Sequence, residues 1–356
     1  MKIKFLKAEN GDSILISFLD NDGNPRNILI DGGTEATYFS RTKRAGFLKK
    51  EIEEIKLRGE VIDLLVLSHI DNDHIEGLLK WFELDNEASD KISEVWFNSG
   101  KAIAKYLKEP KNEDLSLFLK IGSNVFTGVD EGIEIENFLR KHKLVKDGVI
   151  KKNFRWEGFG LTIQVLTPTD KQLKKLLKLY HKETGDLAYT SRKEKDWGKN
   201  ISDLIFEESQ PSFKFKQDDS EKNGSSISSL ITFKGKKFLL LADSHPKTVI
   251  KSLEELGYSK TNPVEVEFMQ VSHHGSKANN NKEIFDLIET NNYIVSTNSS
   301  AHGHPHKSTI ARIVAKNPSA TIHFNYEFVH DNILTVKDKT DYPELKLKSI
   351  SEVDIN

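Results

Sequence analysis

The chain has 356 residues, a formal net charge of -2 and no cysteine. This length allows one large domain or two, the near-zero charge argues against a basic field over the whole molecule, and the lack of cysteine excludes disulfides and thiolate metal ligands. The amino-terminal residues do not have the pattern of a signal peptide, and no run of about 18 apolar residues is present. We therefore expect a cytoplasmic protein without membrane contact.

The first elements of the chain are predicted to be short strands. They fall at residues 3–5, 13–18 and 27–30. A polar turn at 20–25 separates the second strand from the third, and Asp31-Gly32-Gly33 ends the third with glycines that allow a positive φ or a close backbone approach. Residues 34–58 carry apolar side chains at helical spacing, which predicts a surface helix.

The most informative segment is 61–77, VIDLLVLSHIDNDHIEG. Its apolar, β-branched start predicts a buried strand, and its end predicts the start of a helix. Between them lie two imidazoles and two carboxylates, which would repel or cost desolvation energy if they were simply packed together. A divalent cation removes that cost. The candidate ligands are His69, Asp71, Asp73 and His74.

The middle of the chain contains basic stretches at 140–155 and 171–199 and carries no recognisable motif. Lysines 174, 175 and 178 lie in the second stretch, with Tyr180, Tyr189 and Trp197 interleaved. Such a pattern can follow a phosphate backbone while its aromatic rings stack on bases, or it can be a solvated helix face. We name Lys174, Lys175 and Lys178 as candidate substrate contacts and predict a loop at 203–220.

The last third of the chain holds two further groups of candidate residues. A strand pair joined by a tight turn at Lys234-Gly235-Lys236 ends at Asp243, a carboxylate that needs a partner if it is buried. A strand at 264–271 runs into SHHGS, which contains His273 and His274. After a strand at 293–297, the sequence SSAHGHPH contains His304. We predict a closing hairpin at 321–336 and a polar, frayed tail after it.

The spacing H-x-D-x-D-H-x-x-G of residues 69–77 resembles the signature of the metallo-β-lactamase superfamily, with Asp71 in place of the usual second histidine. SHHGS is similar to the branch that contains bacterial competence (DNA-uptake) proteins and phosphorylcholine esterases, and His304-Pro305 resembles the last family motif. Two departures are visible. Ala242 replaces a glycine before Asp243, and no histidine occupies the third motif.

The resemblance implies an α/β fold, the αββα metallo-β-lactamase sandwich, in which two mixed β-sheets are flanked by helices. It is expected to form a single domain over 1–356, with a helical, Lys-rich insertion at about 101–220. It also implies two divalent metal ions, Zn²⁺ or Mn²⁺. One ion would take His69, Asp71 and, in one alternative, His304. The other would take Asp73, His74 and His274, with Asp243 between the ions.

The mechanism implied by the resemblance is hydrolysis by a hydroxide shared between the two cations. Asp73 is expected to orient this nucleophile, and either His273 or His304 to donate a proton to the substrate. The favoured substrate is a phosphodiester in nucleic acid, DNA or RNA. Two alternatives stay open: a hydrolase of small phosphodiesters or esters, and a non-catalytic subunit of a multiprotein assembly such as a defence complex.

Overall fold

A computed structural model describes residues 1–40, 42, 44–109, 128–145, 148–181 and 195–355. The chain divides into two compact units. The first unit consists of Met1–Lys151, Pro168–Thr190 and Glu352–Asn356, and the second of Lys152–Thr167 and Ser191–Ser351. Tyr189, one of the aromatic residues singled out from the sequence, lies outside the described residues, as do residues 146–147 of the first basic stretch and 182–194 of the second.

The first unit is built on a six-stranded mixed sheet. Its strands are β1 (Lys2–Phe5), β2 (Ile14–Leu19), β3 (Pro25–Ile30), β4 (Leu64–Val66), β5 (Val95–Trp96) and β16 (Glu352–Asp354), in the order β16-β1-β2-β3-β4-β5. The strands from β16 to β3 are antiparallel, whereas β3, β4 and β5 are parallel. The three strands predicted near the amino terminus and the strand before the metal-ligand loop are therefore confirmed.

Helices of the first unit bury one apolar face each. They are α1 (Glu35–Tyr38), α2 (Phe47–Leu57), α3 (Asn72–Leu84), α4 (Gly100–Leu107), α5 (Gly128–Lys141) and α6 (Asp170–His181). In α2 the side chains of Leu48, Ile52 and Ile55 are buried, as their helical spacing predicts. These side chains belong to one apolar core with Leu65 and Trp81. That core holds the loop between β4 and α3 in place.

The second unit contains an eight-stranded mixed sheet and a separate pair of short strands. The strands of the sheet are β6 (Arg155–Gly158), β7 (Leu161–Thr167), β8 (Ser228–Phe233), β9 (Lys236–Leu240), β11 (Met269–Gln270), β13 (Asn292–Val295), β14 (Thr321–Phe324) and β15 (Lys346–Ser349), and the pair is β10 (Val264–Glu265) with β12 (Ile288–Glu289). The order of strands in the sheet is β15-β14-β13-β11-β9-β8-β7-β6. The predicted β8–β9 hairpin is confirmed, and Lys234 and Gly235 both have a positive φ, as a tight two-residue turn requires.

Helices of the second unit lie between its strands along the chain. They are α7 (Ile201–Ser209), α8 (Glu221–Gly224), α9 (Pro246–Glu255), α10 (Lys282–Asp286), α11 (Lys307–Lys316), α12 (Glu327–Asn332) and α13 (Val336–Asp341). Strands β9, β11, β13, β14 and β15 are parallel, so each connection must cross back over the sheet. Two mixed sheets flanked by helices confirm the predicted fold class and are consistent with a metallo-β-lactamase fold.

Three local predictions are wrong. The predicted hairpin at 321–336 is β14 followed by α12 and α13, because β14 pairs in parallel with both of its neighbours and needs a helical crossover. The predicted loop at 203–220 begins inside α7, which buries Ile201 and Leu204. The tail does not fray, because β16 pairs with β1.

The region at 101–220 contributes to both units. Helices α4, α5 and α6 belong to the first unit, whereas β6 and β7 extend the sheet of the second. The single-domain organisation and the insertion stay predictions. Among the described residues, no helix has both the length and the hydrophobicity needed to cross a bilayer.

Candidate metal centre

The loop between β4 and α3 brings the first candidate ligands close together. Nε2 of His69 lies 3.6 Å from Oδ2 of Asp71, and the rings of His69 and His74 are 4.2 Å apart between centroids. Both imidazoles are almost fully buried. Asp71 is the residue that precedes the first turn of α3, and it makes no side-chain cap to that helix. Its carboxylate is therefore not used to stabilise the helix end.

Asp31 fixes the orientation of His74. Its carboxylate accepts hydrogen bonds from the backbone N–H of Ser68 at 2.7 Å and from the Ser68 hydroxyl at 2.6 Å. Oδ2 of this carboxylate also lies 2.8 Å from Nδ1 of His74. Because a carboxylate can only accept a hydrogen bond, this contact favours the His74 tautomer that has its proton on Nδ1. The lone pair of Nε2 is then available to a metal, as in the carboxylate–histidine–metal arrangement.

Asp12 joins this donor set, although the sequence did not single it out as a ligand. The carboxylate of Asp12 and the imidazole of His74 offer ligand atoms within 4.8 Å of one another. The backbone N–H of Asp12 donates to the carbonyl of Asp73, and the carboxylate of Asp73 accepts from Nδ2 of Asn10 at 2.9 Å. The only sequence signal for Asp12 is its place in a Gly-Asp-Ser turn after a strand.

Glycines allow these backbone segments to approach closely. A Cβ atom on Gly77 would lie 2.0 Å from the carbonyl oxygen of Gly32, and the N–H of Gly77 donates to the carbonyl of Gly33 at 2.9 Å. Helix α3 therefore packs directly on the turn that carries Asp31. This contact places the first turn of α3, with Asp73 and His74, against the end of β3.

The second unit carries a comparable donor set after β9 and β11. Oδ1 of Asp243 lies 3.7 Å from Nε2 of His274, and Oδ2 lies 3.4 Å from Nε2 of His273. Nδ1 of His274 is 2.9 Å from the carbonyl oxygen of Ser296, so this nitrogen donates and Nε2 carries the lone pair. His274 is therefore held in the same way as His74, with a backbone carbonyl in place of a carboxylate.

His304 lies beside this second set. Its ring centroid is 4.7 Å from that of His273 and 6.4 Å from that of His274, and its side chain is almost fully buried. Burial is the main cause that lowers the pKa of His304 well below its usual range. The charges of the neighbouring histidines lower this pKa further, and that of His273 has the largest effect among them. The ring is therefore neutral near pH 7 and can bind a cation or a substrate through a lone pair.

A partly buried carboxylate behind His273, that of Asp218, was not predicted from the sequence. Oδ2 of Asp218 accepts from the side-chain amides of Asn223 at 2.7 Å and Asn279 at 3.0 Å, and it lies 3.6 Å from Nε2 of His245 and 3.8 Å from Nδ1 of His273. Burial alone would raise the pKa of Asp218. The hydrogen bond with His245, the charge of His273 and the two amides lower it below its usual range.

The candidate substrate lysines occupy the solvent face of α6. Lys174, Lys175 and Lys178 are exposed, whereas Leu173 and Leu177 on the opposite face are buried in the core of the first unit. Lys174 has a carboxylate of the same unit, Glu109, at 3.8 Å. This arrangement satisfies the amphipathic pattern of the helix, and the role of these lysines in binding stays a prediction.

The chemistry of both donor sets fits a divalent cation. Each set combines imidazole nitrogen with carboxylate oxygen, which suits Zn²⁺ and is also compatible with Mn²⁺. In each set a buried histidine is oriented through Nδ1, which leaves Nε2 for the metal. The first unit brings together Asp12, His69, Asp71 and His74, and the second brings together Asp243, His273, His274 and His304. The assignment of individual residues to two cations stays a prediction.

Comparison with solved structures gives remote likenesses. A metallo-β-lactamase from Cronobacter sakazakii with mutations in its HARLDQ motif is 13% identical, with 74% of each chain covered and a TM-score of 0.33. The metallo-β-lactamase fold protein YhfI from Bacillus subtilis is 9% identical, with 99% of each chain covered and a TM-score of 0.41. CmlA, a diiron β-hydroxylase from Streptomyces venezuelae, is 14% identical over 100% of this chain and 54% of its own, with a TM-score of 0.43.

No curated protein matches the sequence. The family model described as Metallo-beta-lactamase superfamily matches residues 8–148, which include Asp12, Asp31 and the whole loop from His69 to His74. The resemblance to the competence branch stays a prediction. The first part of the chain, residues 8–148, is therefore similar in sequence to the metallo-β-lactamase superfamily.

Proposed function

We propose that the protein is a metal-dependent hydrolase of phosphodiesters and that nucleic acid is its substrate. The observation that carries the proposal is the orientation of two buried histidines. His74 is held through Nδ1 by Asp31 and His274 by the Ser296 carbonyl, so each presents Nε2 next to a carboxylate. A histidine held in this way is suited to metal binding, because its tautomer is already set.

We further propose that the donors of the two units serve one pair of cations, as the resemblance to the superfamily implies. Such a pair supplies Lewis acidity toward the phosphoryl oxygens and lowers the pKa of water toward neutrality. His69, Asp71, Asp73 and His74, together with Asp12, would hold cations from the first unit. Asp243 and His274 would hold them from the second, with His304 as a further ligand in one alternative.

The remaining side chains are proposed to orient the attacking water and to contact the leaving oxygen and the substrate. The Asp73 carboxylate, steadied by Asn10, is the proposed acceptor that orients the attacking water. His273 is held through Nδ1 by the side-chain oxygen of Asn279 at 2.9 Å, which leaves Nε2 as the atom that meets the leaving oxygen. His304 is kept neutral, so it meets an anionic substrate as a polar group without adding a charge.

Two features support a nucleic-acid phosphodiester as the substrate. The sequence SHHGS resembles the competence branch, and α6 presents a row of exposed lysines, Lys174, Lys175 and Lys178, to solvent. Lysine rows of this kind bind phosphates mainly through charge, so binding should weaken as salt is added. A small phosphodiester would not need the row, and reversal of these charges would then leave its hydrolysis unchanged.

The test combines metal analysis with two substitutions, one from each unit. We expect close to two equivalents of Zn²⁺ or Mn²⁺ per chain and hydrolysis of DNA or RNA strands. His74→Ala and His274→Ala should each abolish hydrolysis if both donor sets serve one centre. His142→Ala is the control, because the His142 ring packs against Phe138 at a centroid distance of 4.5 Å and belongs to neither donor set.

Three results would contradict the proposal in different ways. Full activity in either His74→Ala or His274→Ala would show that the assigned centre is wrong. Hydrolysis of small phosphodiesters or esters without cleavage of nucleic acid would favour the small-molecule alternative. Folded protein with almost no bound metal would favour a non-catalytic subunit that acts with protein partners.

A further inference from the structure

An aromatic surface lies next to His304 in the second unit. We define the aromatic platform as Lys195, Trp197 and Phe328. The rings of Trp197 and Phe328 are 6.1 Å apart between centroids and inclined by 40°. Nζ of Lys195 lies 4.3 Å from the centre of the Trp197 ring and 5.3 Å from that of Phe328. Phe328 is 57% exposed, although it is a large apolar side chain.

The platform is anchored to the backbone that follows His304. Nε1 of Trp197 donates to the carbonyl oxygen of Pro305 at 2.8 Å. The neighbouring Asp196 carboxylate accepts from the backbone N–H of Lys307 and from the N–H and hydroxyl of Ser308. The Lys307 side chain in turn donates to the carbonyl of Lys199 at 2.8 Å. The segment that carries Trp197 is therefore tied on both sides to residues 305–308.

Pro305 itself packs against the turn that carries the histidine pair. A Cβ atom on Gly275 would lie 2.6 Å from Cβ of Pro305, and the N–H of His306 donates to the carbonyl of Gly275 at 3.0 Å. The indole of Trp197 is thus one hydrogen bond from the residue that joins His304 to this turn. The platform is therefore connected through Pro305 to the turn that carries His273 and His274.

We propose that the aromatic platform binds a nucleotide of a single-stranded nucleic acid next to the cleaved phosphodiester. This inference rests on the proposed function and names its substrate class. The exposed Phe328 ring stacks on a base, and the ammonium of Lys195, which lies over both rings, pairs with a backbone phosphate. Every base has a face that can stack, so the site tolerates any sequence. A base within a duplex already has both faces covered, so the platform selects unpaired strands.

Binding without catalysis tests the inference directly. The probe is a fluorescent single-stranded 12-nucleotide DNA, with its dissociation constant measured by anisotropy in EDTA. Phe328→Ala is expected to weaken binding about 5- to 150-fold, the range of one lost stacking contact. Phe213→Ala is the matched control, because Phe213 is an exposed phenylalanine outside the platform. A second variant, Trp197→Phe, keeps a ring and loses the bond to Pro305.

The same strand with abasic sites separates stacking from charge. Parent and Phe328→Ala should bind the abasic strand equally, whereas Lys195→Gln should weaken binding of both strands. Unchanged binding in Phe328→Ala, equal loss in Phe213→Ala, or no binding of any strand would overturn the inference. Platform-dependent binding without hydrolysis of any phosphodiester would support the inference while contradicting the proposed function.

Discussion

Nδ1 of His74 lies 2.8 Å from Oδ2 of Asp31. This carboxylate sets the tautomer of His74 and increases the basicity of Nε2, the nitrogen proposed to bind metal. Asp31→Asn replaces one carboxylate oxygen with an amide NH₂ group, so the side chain no longer favours the same tautomer of His74. We expect the affinity for Zn²⁺ to fall about 10- to 100-fold, as measured by competition with a chromogenic chelator.

Asp63→Asn is the matched control for this substitution. Asp63 is also a buried carboxylate of the first unit, and it accepts from the backbone N–H of Asn27 and from Arg26. Its replacement should lower the free energy of unfolding by about 1–3 kcal/mol with little change in metal affinity. If both variants lose metal affinity equally, Asp31 acts through general stability and not through His74.

The carboxylate of Asp218 is expected to position His273 for the reaction. Asp218→Asn turns an amide toward the donors of Asn223 and Asn279 and removes the negative charge near His273. We expect kcat to fall about 10- to 100-fold while KM changes little, because the defect lies in the reacting geometry. Asp219→Asn, at an exposed neighbouring position, should have the activity of the parent. A rise in KM alone would assign Asp218 to substrate binding.

Features that depend on a short stretch of sequence could be predicted, whereas contacts between distant segments of the chain could not. The strand, loop and helix around His69 to His74 were predictable, because hydrophobic runs and ligand spacing are local features. The SHHGS turn was predictable for the same reason. Asp12 and Asp218 were missed, because each becomes informative only when a segment distant in the chain folds against it. Asp12 and His74 lie close together in the structure but are 62 residues apart in the sequence, and Asp218 and His273 are 55 residues apart.

The wrong hairpin at 321–336 has a different physical cause. Polar and apolar residues there alternate well enough to indicate strands, but the sequence does not reveal the direction of pairing. Because β14 lies between parallel partners, the chain must cross over, and α12 and α13 make that crossing. A parallel strand order depends on the whole sheet, which no local window of sequence contains.

Gly11 is expected to be essential for the contact between the first turn of the chain and α3. A Cβ atom at this position would lie 1.7 Å from the carbonyl oxygen of Asp73. Gly11→Ala should therefore lower the free energy of unfolding by about 1–3 kcal/mol, as measured by urea denaturation. Gly198→Ala is the control, because no atom lies within 4 Å of its Cβ position, and its effect should stay within about 0.5 kcal/mol. Equal effects would refute the close approach.

Ala242 is predicted to be a source of backbone strain. Its φ is 44°, in the left-handed region that disfavours a residue with a Cβ atom, and it precedes Asp243 where the superfamily motif has a glycine. We expect Ala242→Gly to raise the free energy of unfolding by up to about 1 kcal/mol, as measured by thermal denaturation. Ala311→Gly, inside α11, should have the opposite sign. A loss of stability in Ala242→Gly would show that its methyl contacts outweigh the strain.

His323 gives a prediction about pH that does not involve the candidate metal centre. Burial, followed by the charge of Lys348, lowers the pKa of His323 from its ordinary value of 6.5. Since the folded protein binds this proton less readily than the unfolded chain, the contribution to stability is complete above about pH 6.5 and is lost as the pH falls toward the lowered pKa. His323→Gln keeps a donor toward Oδ1 of Asn292, which lies 3.0 Å from Nε2 in the parent, and removes the titration. Between pH 7 and pH 5, we expect the urea midpoint of the variant to decline less steeply than that of the parent. Equal declines in parent and variant would show that His323 has the same pKa in the folded and unfolded chains.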